Sequence, residues 1–191
     1  MSKLFFASIA SLALLSLPAS VAHGAGRDTM TLQEALDSAE RLLDNGGDAS
    51  DIAGRLHKSR GLNKEEQRRL ELIDARCALL TGAYPAGEKI LARLYKAAPD
   101  DARLAEWYAR ALDGSGKGEV ALPLLKDLAA KDGLKDGDSY WALAQLERKG
   151  GDRAQALAHA RAALTHPIVL QSDELDKEIH KFIAELSKPA K

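Results

Sequence analysis

The sequence predicts an all-α chain of stacked helix hairpins, and three observations carry that expectation. Apolar residues make up 46% of the 191 positions and aromatics only 5%, a balance rich in Ala and Leu that suits helices in close approach. Nowhere do Val, Ile and Thr alternate long enough to build a strand. A helix–turn–helix pattern also recurs: from Ala78 the chain reads ALLTGAYPAGEKILARLYKAAPDD, two amphipathic stretches around a Gly turn, closed by Pro and two acids. A hairpin of this kind buries its apolar face only against neighbours, so one copy implies others.

Residues 1–22 read as a secretory signal. Lys3 is followed by the apolar run Leu4–Leu17, then Pro18 and the small residues Ala19 to Ala22, so the expectation is cleavage after Ala22 and export to the periplasm. The run falls short of the ~20 residues a spanning helix needs, which disfavours a membrane anchor. No Cys stands near the cut site, against a lipoprotein, and no long apolar run follows that would make a span in the mature chain. Residues 23–30 lack periodicity and form a lead-in.

Residues 31–62 read as a degenerate hairpin. Thr31-Leu32-Gln33-Glu34 is a capping box. Its helix carries Leu36, Ala39 and Leu43 and ends at Asn45-Gly46-Gly47, and a second helix from about Asp48 to Arg60 presents Ile52 and Leu56 before Gly61. Asn63 and Glu66 repeat the capping signature for a helix through Leu70, Ile73, Cys77 and Leu80. Pro85 falls in the first turn of the next helix, where its missing amide costs little, and Pro99 ends it. Asp101 caps a helix with Leu104, Trp107 and Leu112, and its partner carries Ala121, Leu125 and Leu128. A further pair runs through Leu143 and Ala144, then Ala156 and Ala163, before Pro167. Ser172-Asp173 opens a last helix to Ser187, leaving a polar tail.

These pairs share one register. Ala75, Ala109 and Ala144 are separated by 34 and 35 residues, and the same shift relates Gly82, Gly116 and Gly151, Leu91, Leu125 and Ala160, and Leu94, Leu128 and Ala163. Small residues let the two helices of a hairpin touch, glycine turns the chain, and larger residues fill the gap to the next hairpin. The period and placement resemble the tetratricopeptide repeat (TPR) family, whose unit is a helix–turn–helix stacking into a right-handed α-solenoid. The resemblance gives three repeats within 63–171, at about 68–101, 102–136 and 137–170, and a capping helix at 172–187. Two departures stand out: Pro123 lies inside a predicted helix, so that helix begins late or kinks, and residues 31–60 lack the small residue of the first helix.

No constellation argues for catalysis, a metal or a cofactor. Gly114-Ser115-Gly116-Lys117-Gly118 looks like a phosphate loop but has Gly118 where a hydroxyl residue is needed and follows a helix. Asp132, Asp136 and Asp138 lack the order of a calcium loop, and Asp138 is expected to cap a helix. The histidines His57, His159, His166 and His180 show no zinc spacing. The lone Cys77 sits among apolar residues as a buried thiol and can form no internal disulfide. A net charge of −1 argues against nucleic-acid binding.

In the family this chain resembles, ligands lie in the groove lined by the first helix of each repeat. That places Arg69, Leu72, Ile73, Arg76, Leu79 and Leu80 there, then Arg103, Glu106, Trp107, Arg110 and Asp113, then Asp138, Trp141, Gln145, Arg148 and Lys149. Arg69 and Arg76 recur one repeat later as Arg103 and Arg110. An Arg ladder beside Trp107 would suit a protein or peptide partner with acidic groups; the bland alternative is solvated helix arginines with the tryptophans packed as core. The resemblance and the export signal imply an adaptor in envelope assembly, secretion or polymer export. The rival expectation is an accessory subunit holding an anionic polysaccharide or peptidoglycan fragment on the Arg/Trp groove.

Overall fold

The computed structural model describes residues 30–167 and 173–188, and within them the chain is helical with no strand. The signal segment, most of the lead-in, Ser172 and the tail beyond Lys188 lie outside the described residues. The helices are α1 (Leu32–Asp44), α2 (Ser50–Leu56), α3 (Lys64–Leu80), α4 (Tyr84–Ala97), α5 (Ala102–Gly114), α6 (Gly118–Ala130), α7 (Gly137–Lys149), α8 (Arg153–Ala163) and α9 (Asp173–Leu186). Each packs on the next, and α1, α3, α5 and α7 also touch along the array. The result is an α-solenoid.

Local chemistry starts and stops these helices. The Thr31 hydroxyl accepts from the Glu34 amide at 3.2 Å while the Glu34 carboxylate accepts from the Thr31 amide at 2.7 Å. Asn63 and Glu66 do the same for α3, and Asp101 accepts from the Arg103 and Leu104 amides for α5. These bonds occupy amides that a helix start leaves unpaired. At the hairpin turns Gly82, Gly116 and Gly151 adopt φ of 75°, 79° and 85°, a left-handed conformation that costs a side chain about 1–2 kcal/mol. The shared glycine register therefore has a backbone cause.

Three local outcomes differ from the sequence expectation. Helix α2 is shorter than 48–60, because Asp48 accepts from the Ser50 amide at 2.9 Å ahead of the helix and the backbone turns away after Leu56. Helix α6 runs through Pro123 from a start at Gly118, so it does not begin late; the missing amide leaves the Glu119 carbonyl without its helical donor. Asp136, not Asp138, holds the N-cap position of α7, and Asp138 lies inside the first turn. Pro167 also does more than interrupt, since its carbonyl accepts from the Gly137 amide at 2.7 Å.

The core runs along the array as three successive clusters. Ala35, Leu36, Leu43, Leu56 and Ile73 join α1, α2 and α3; Ala75, Leu79, Leu91, Leu94 and Leu104 join α3, α4 and α5; and the largest spans α5 to α9, with Leu125, Leu143, Ala156 and Phe182. Ala75, Ala109 and Ala144 are wholly buried, as their small size requires at helix crossings. A Cβ added at Gly87 would sit 3.3 Å from the Ala75 carbonyl, so α3 and α4 touch backbone to side. Ile179, Phe182 and Leu186 of α9 close the third cluster. Arg153 fixes that helix by donating to the carbonyls of Glu185, Leu186 and Lys188 at its C-terminal end.

Candidate interaction groove

The residues mapped to the groove sit on α3, α5 and α7, and most of their charges are already engaged within the chain. Arg69 donates to Glu40 through Nε at 2.7 Å and through Nη2 to Asp37 at 2.6 Å and to Glu40 at 2.7 Å. These bonds hold the Asp37 carboxyl below its ordinary pKa and, with Glu40 contributing most, raise that of Arg69. Arg76 donates to Asp44 at 2.6 Å. Both mapped arginines of α3 thus grip α1.

One step along, Arg103 donates through Nη1 to Glu106 at 2.8 Å and to Asp136 at 3.0 Å. Burial pulls its pKa down, but the Asp136 and Glu106 charges more than offset this and leave it raised. Glu106 is wholly buried; its other oxygen accepts from the Lys135 and Asp136 amides, each at 2.9 Å. A side chain of α5 therefore satisfies the backbone leading into α7. Arg148 pairs with Glu185 of α9 at 3.7 Å and lies over the Phe182 ring at 4.5 Å.

Arg110 is the most buried of these arginines. Only 8% exposed, it lies 3.9 Å from the nearest carboxylate oxygen, on Asp136, beyond hydrogen-bond reach. Trp107 and Trp141 are both buried. The guanidinium carbons of Arg76 and Arg103 each stand 4.8 Å from the Trp107 ring centre, and Trp141 meets Phe182 edge-on at 4.8 Å. All five mapped arginines stand within ion-pair distance of a carboxylate of their own chain, Arg110 and Arg148 at the longest separations and Arg148 half-exposed, and the tryptophans pack as core.

Among the described residues, adjoining depressions lie along this face. A small one is lined by Leu79, Arg76, Trp107, Arg110 and Asp136. A cleft of about 250 Å³ lies between α5 and α7, with Tyr84, Arg110, Asp113, Asp138, Trp141 and Gln145 around it. A third, of about 270 Å³, lies between α7 and α9 beside Gln145, Arg148 and Lys181. Arg110 belongs to the first two, and Trp141 and Gln145 to the last two, so the three form one continuous strip. Arg69 lines none of them. The sequence reading missed Tyr84 as a wall; it reaches the cleft because its ring lies across Gly114, where a Cβ would come within 2.3 Å of it.

The remaining candidates have structural explanations. Lys117 of the glycine turn pairs with Glu88 at 2.5 Å, holding the Glu88 carboxyl below its usual range. Asp132 takes φ 53° after α6, and no group of metal-ligating side chains assembles among the described residues. His57 bonds to Asp74 at 2.9 Å and His159 to the buried Glu147 at 2.7 Å. Cys77 is buried, and burial pushes its thiol pKa up. No helix among the described residues is long and apolar enough to cross a membrane.

No family model and no curated protein sequence matches this chain. Its fold is similar to the crystal structure of a tetratricopeptide repeat protein from Parabacteroides merdae, with a TM-score of 0.57 and 15% identity over 81% of this chain and 58% of that one. The likeness shows a TPR-like fold, and the chain spans little more than half the length of that structure.

Proposed function

We propose that this chain is an exported, non-enzymatic adaptor that docks another polypeptide on the face built by α3, α5 and α7. The observation that carries the reading is the continuous strip of depressions along that face, linked through Arg110, Trp141 and Gln145. A solenoid presents such a face as an extended surface, which suits a chain segment. The export signal read in residues 1–22 supports a place in the periplasm, in envelope assembly, secretion or polymer export.

A photo-crosslinking residue at Gln145, in the strip, and another at Val120, exposed on α6, test it in the native envelope. A discrete crosslinked protein from position 145 and none from 120 is the expected outcome. Equal labelling from both, or none from either, overturns the reading.

A further inference from the structure

Three side chains of α5 converge on Asp136, the residue that precedes α7. Arg103 donates through Nη1 to Oδ1 at 3.0 Å, and Glu106 accepts from the Asp136 amide at 2.9 Å, so the carboxylate is fixed in place. Its second oxygen is held less closely. Oδ2 is buried and accepts from no described residue, and the cation that pairs with it, Arg110 Nη1, stands 3.9 Å away, about 1 Å beyond an ordinary N–H···O bond. Arg110, itself 8% exposed, donates no hydrogen bond among the described residues. The two groups balance in charge, yet neither has its bond.

A buried carboxylate oxygen without a donor and a buried guanidinium without an acceptor are both costly to keep. One small group that accepts from Arg110 and donates to Oδ2 satisfies the two at once. It must be neutral, because the ion pair already balances and an added charge would undo that balance. It must also be small: the depression lined by Arg76, Arg110 and Asp136 over Leu79, Leu80 and Trp107 holds about 20 Å³, room for one water and little more. Polar groups separated by more than 3.5 Å are the usual setting for a water bridge. Arg76 adds a third polar partner at the same depression, since only its Nη2 is engaged by Asp44, and buried waters make about three hydrogen bonds.

We propose that one ordered water occupies this depression, accepting from the Arg110 guanidinium and donating to Asp136 Oδ2, and so completes the seam between α5 and α7. The water belongs to the fold and stands or falls independently of the adaptor reading. It also changes what the strip presents at this point. One repeat after Arg76, the face carries a neutral group that can both give and take a hydrogen bond, where the arginine alone would suggest a charge.

Crystal structures of the parent chain and of Arg110→Met, at a resolution that shows ordered solvent, test the proposal. In the parent, a single peak of water density should lie within about 2.5–3.2 Å of both a guanidinium nitrogen of Arg110 and Asp136 Oδ2. In Arg110→Met the peak should be lost while the Arg103 and Glu106 bonds to Asp136 persist. A direct bond from Arg110 to Oδ2 with nothing between them, density that fits an anion of the crystallisation medium, or a water that keeps its place in Arg110→Met overturns it. Should the variant fail to fold, the parent density alone decides, because both partners and both distances are specified there.

Discussion

Where α3 meets α1, Arg69 and Arg76 reach carboxylates that stand in solvent, with Asp37 42% and Asp44 63% exposed. Where α5 meets α7, Arg103 reaches Glu106 and Asp136, which are 0% and 7% exposed. Arg69 and Arg103 occupy equivalent repeat positions, and the bonds at the two seams are of similar length. The difference lies in the dielectric around them and in what else the carboxylates do. At the first seam each acid has water as an alternative partner, so the pair is worth little. At the second, Glu106 also terminates two backbone amides, and removing it would strand several buried groups at once.

The largest test of that contrast is Glu106→Ala, which leaves the Lys135 and Asp136 amides and one Arg103 bond without an acceptor. It should destabilise by about 3–5 kcal/mol, read from the shift in urea midpoint at constant slope. A loss near that of an exposed pair would erase the distinction between the seams. Asp44→Asn at the first seam should cost at most about 1 kcal/mol. The difference should vanish in 1 M salt, where charges are screened within about 3 Å; a cost that ignores salt would mean packing, not charge, matters there. The smallest effect is with pH. Because the Arg69 bond depresses the Asp37 pKa, the contribution is present above the unfolded value and lost as pH falls through the folded one. On acidification, amides of α1 should lose exchange protection before those of α7; simultaneous loss would show that the array opens as one unit.

Much of the fold was legible because its signals are local or strictly periodic. Glycines in left-handed turns and alanines at crossings are each dictated by one backbone or one contact, so Gly116 and Ala109 announce themselves. Charged groups of the groove do not. Arg69 reads as an open cation until Asp37 is found 32 residues earlier, and Arg103 until Asp136 is found 33 residues later. Those separations are close to one repeat, as is the 32 between Asp44 and Arg76, so acids offset from each arginine by one period were the available signal. Glu106 carried no such mark, because its task is to cap a neighbouring helix start whose position depends on the turn between α6 and α7. Asp136 and Asp138 were misassigned for the same reason: only the geometry of that turn decides which of them precedes the first helical residue.

Trp107 stands under the guanidinium of Arg76 from the first seam and that of Arg103 from the second. A single indole therefore registers both junctions, and its emission should redden when either arginine withdraws and admits water. With Trp141 replaced by Phe, which can keep the edge-on contact with Phe182, the chain would carry its own optical gauge. Slackening of the array on partner release could then be followed in real time, without any label.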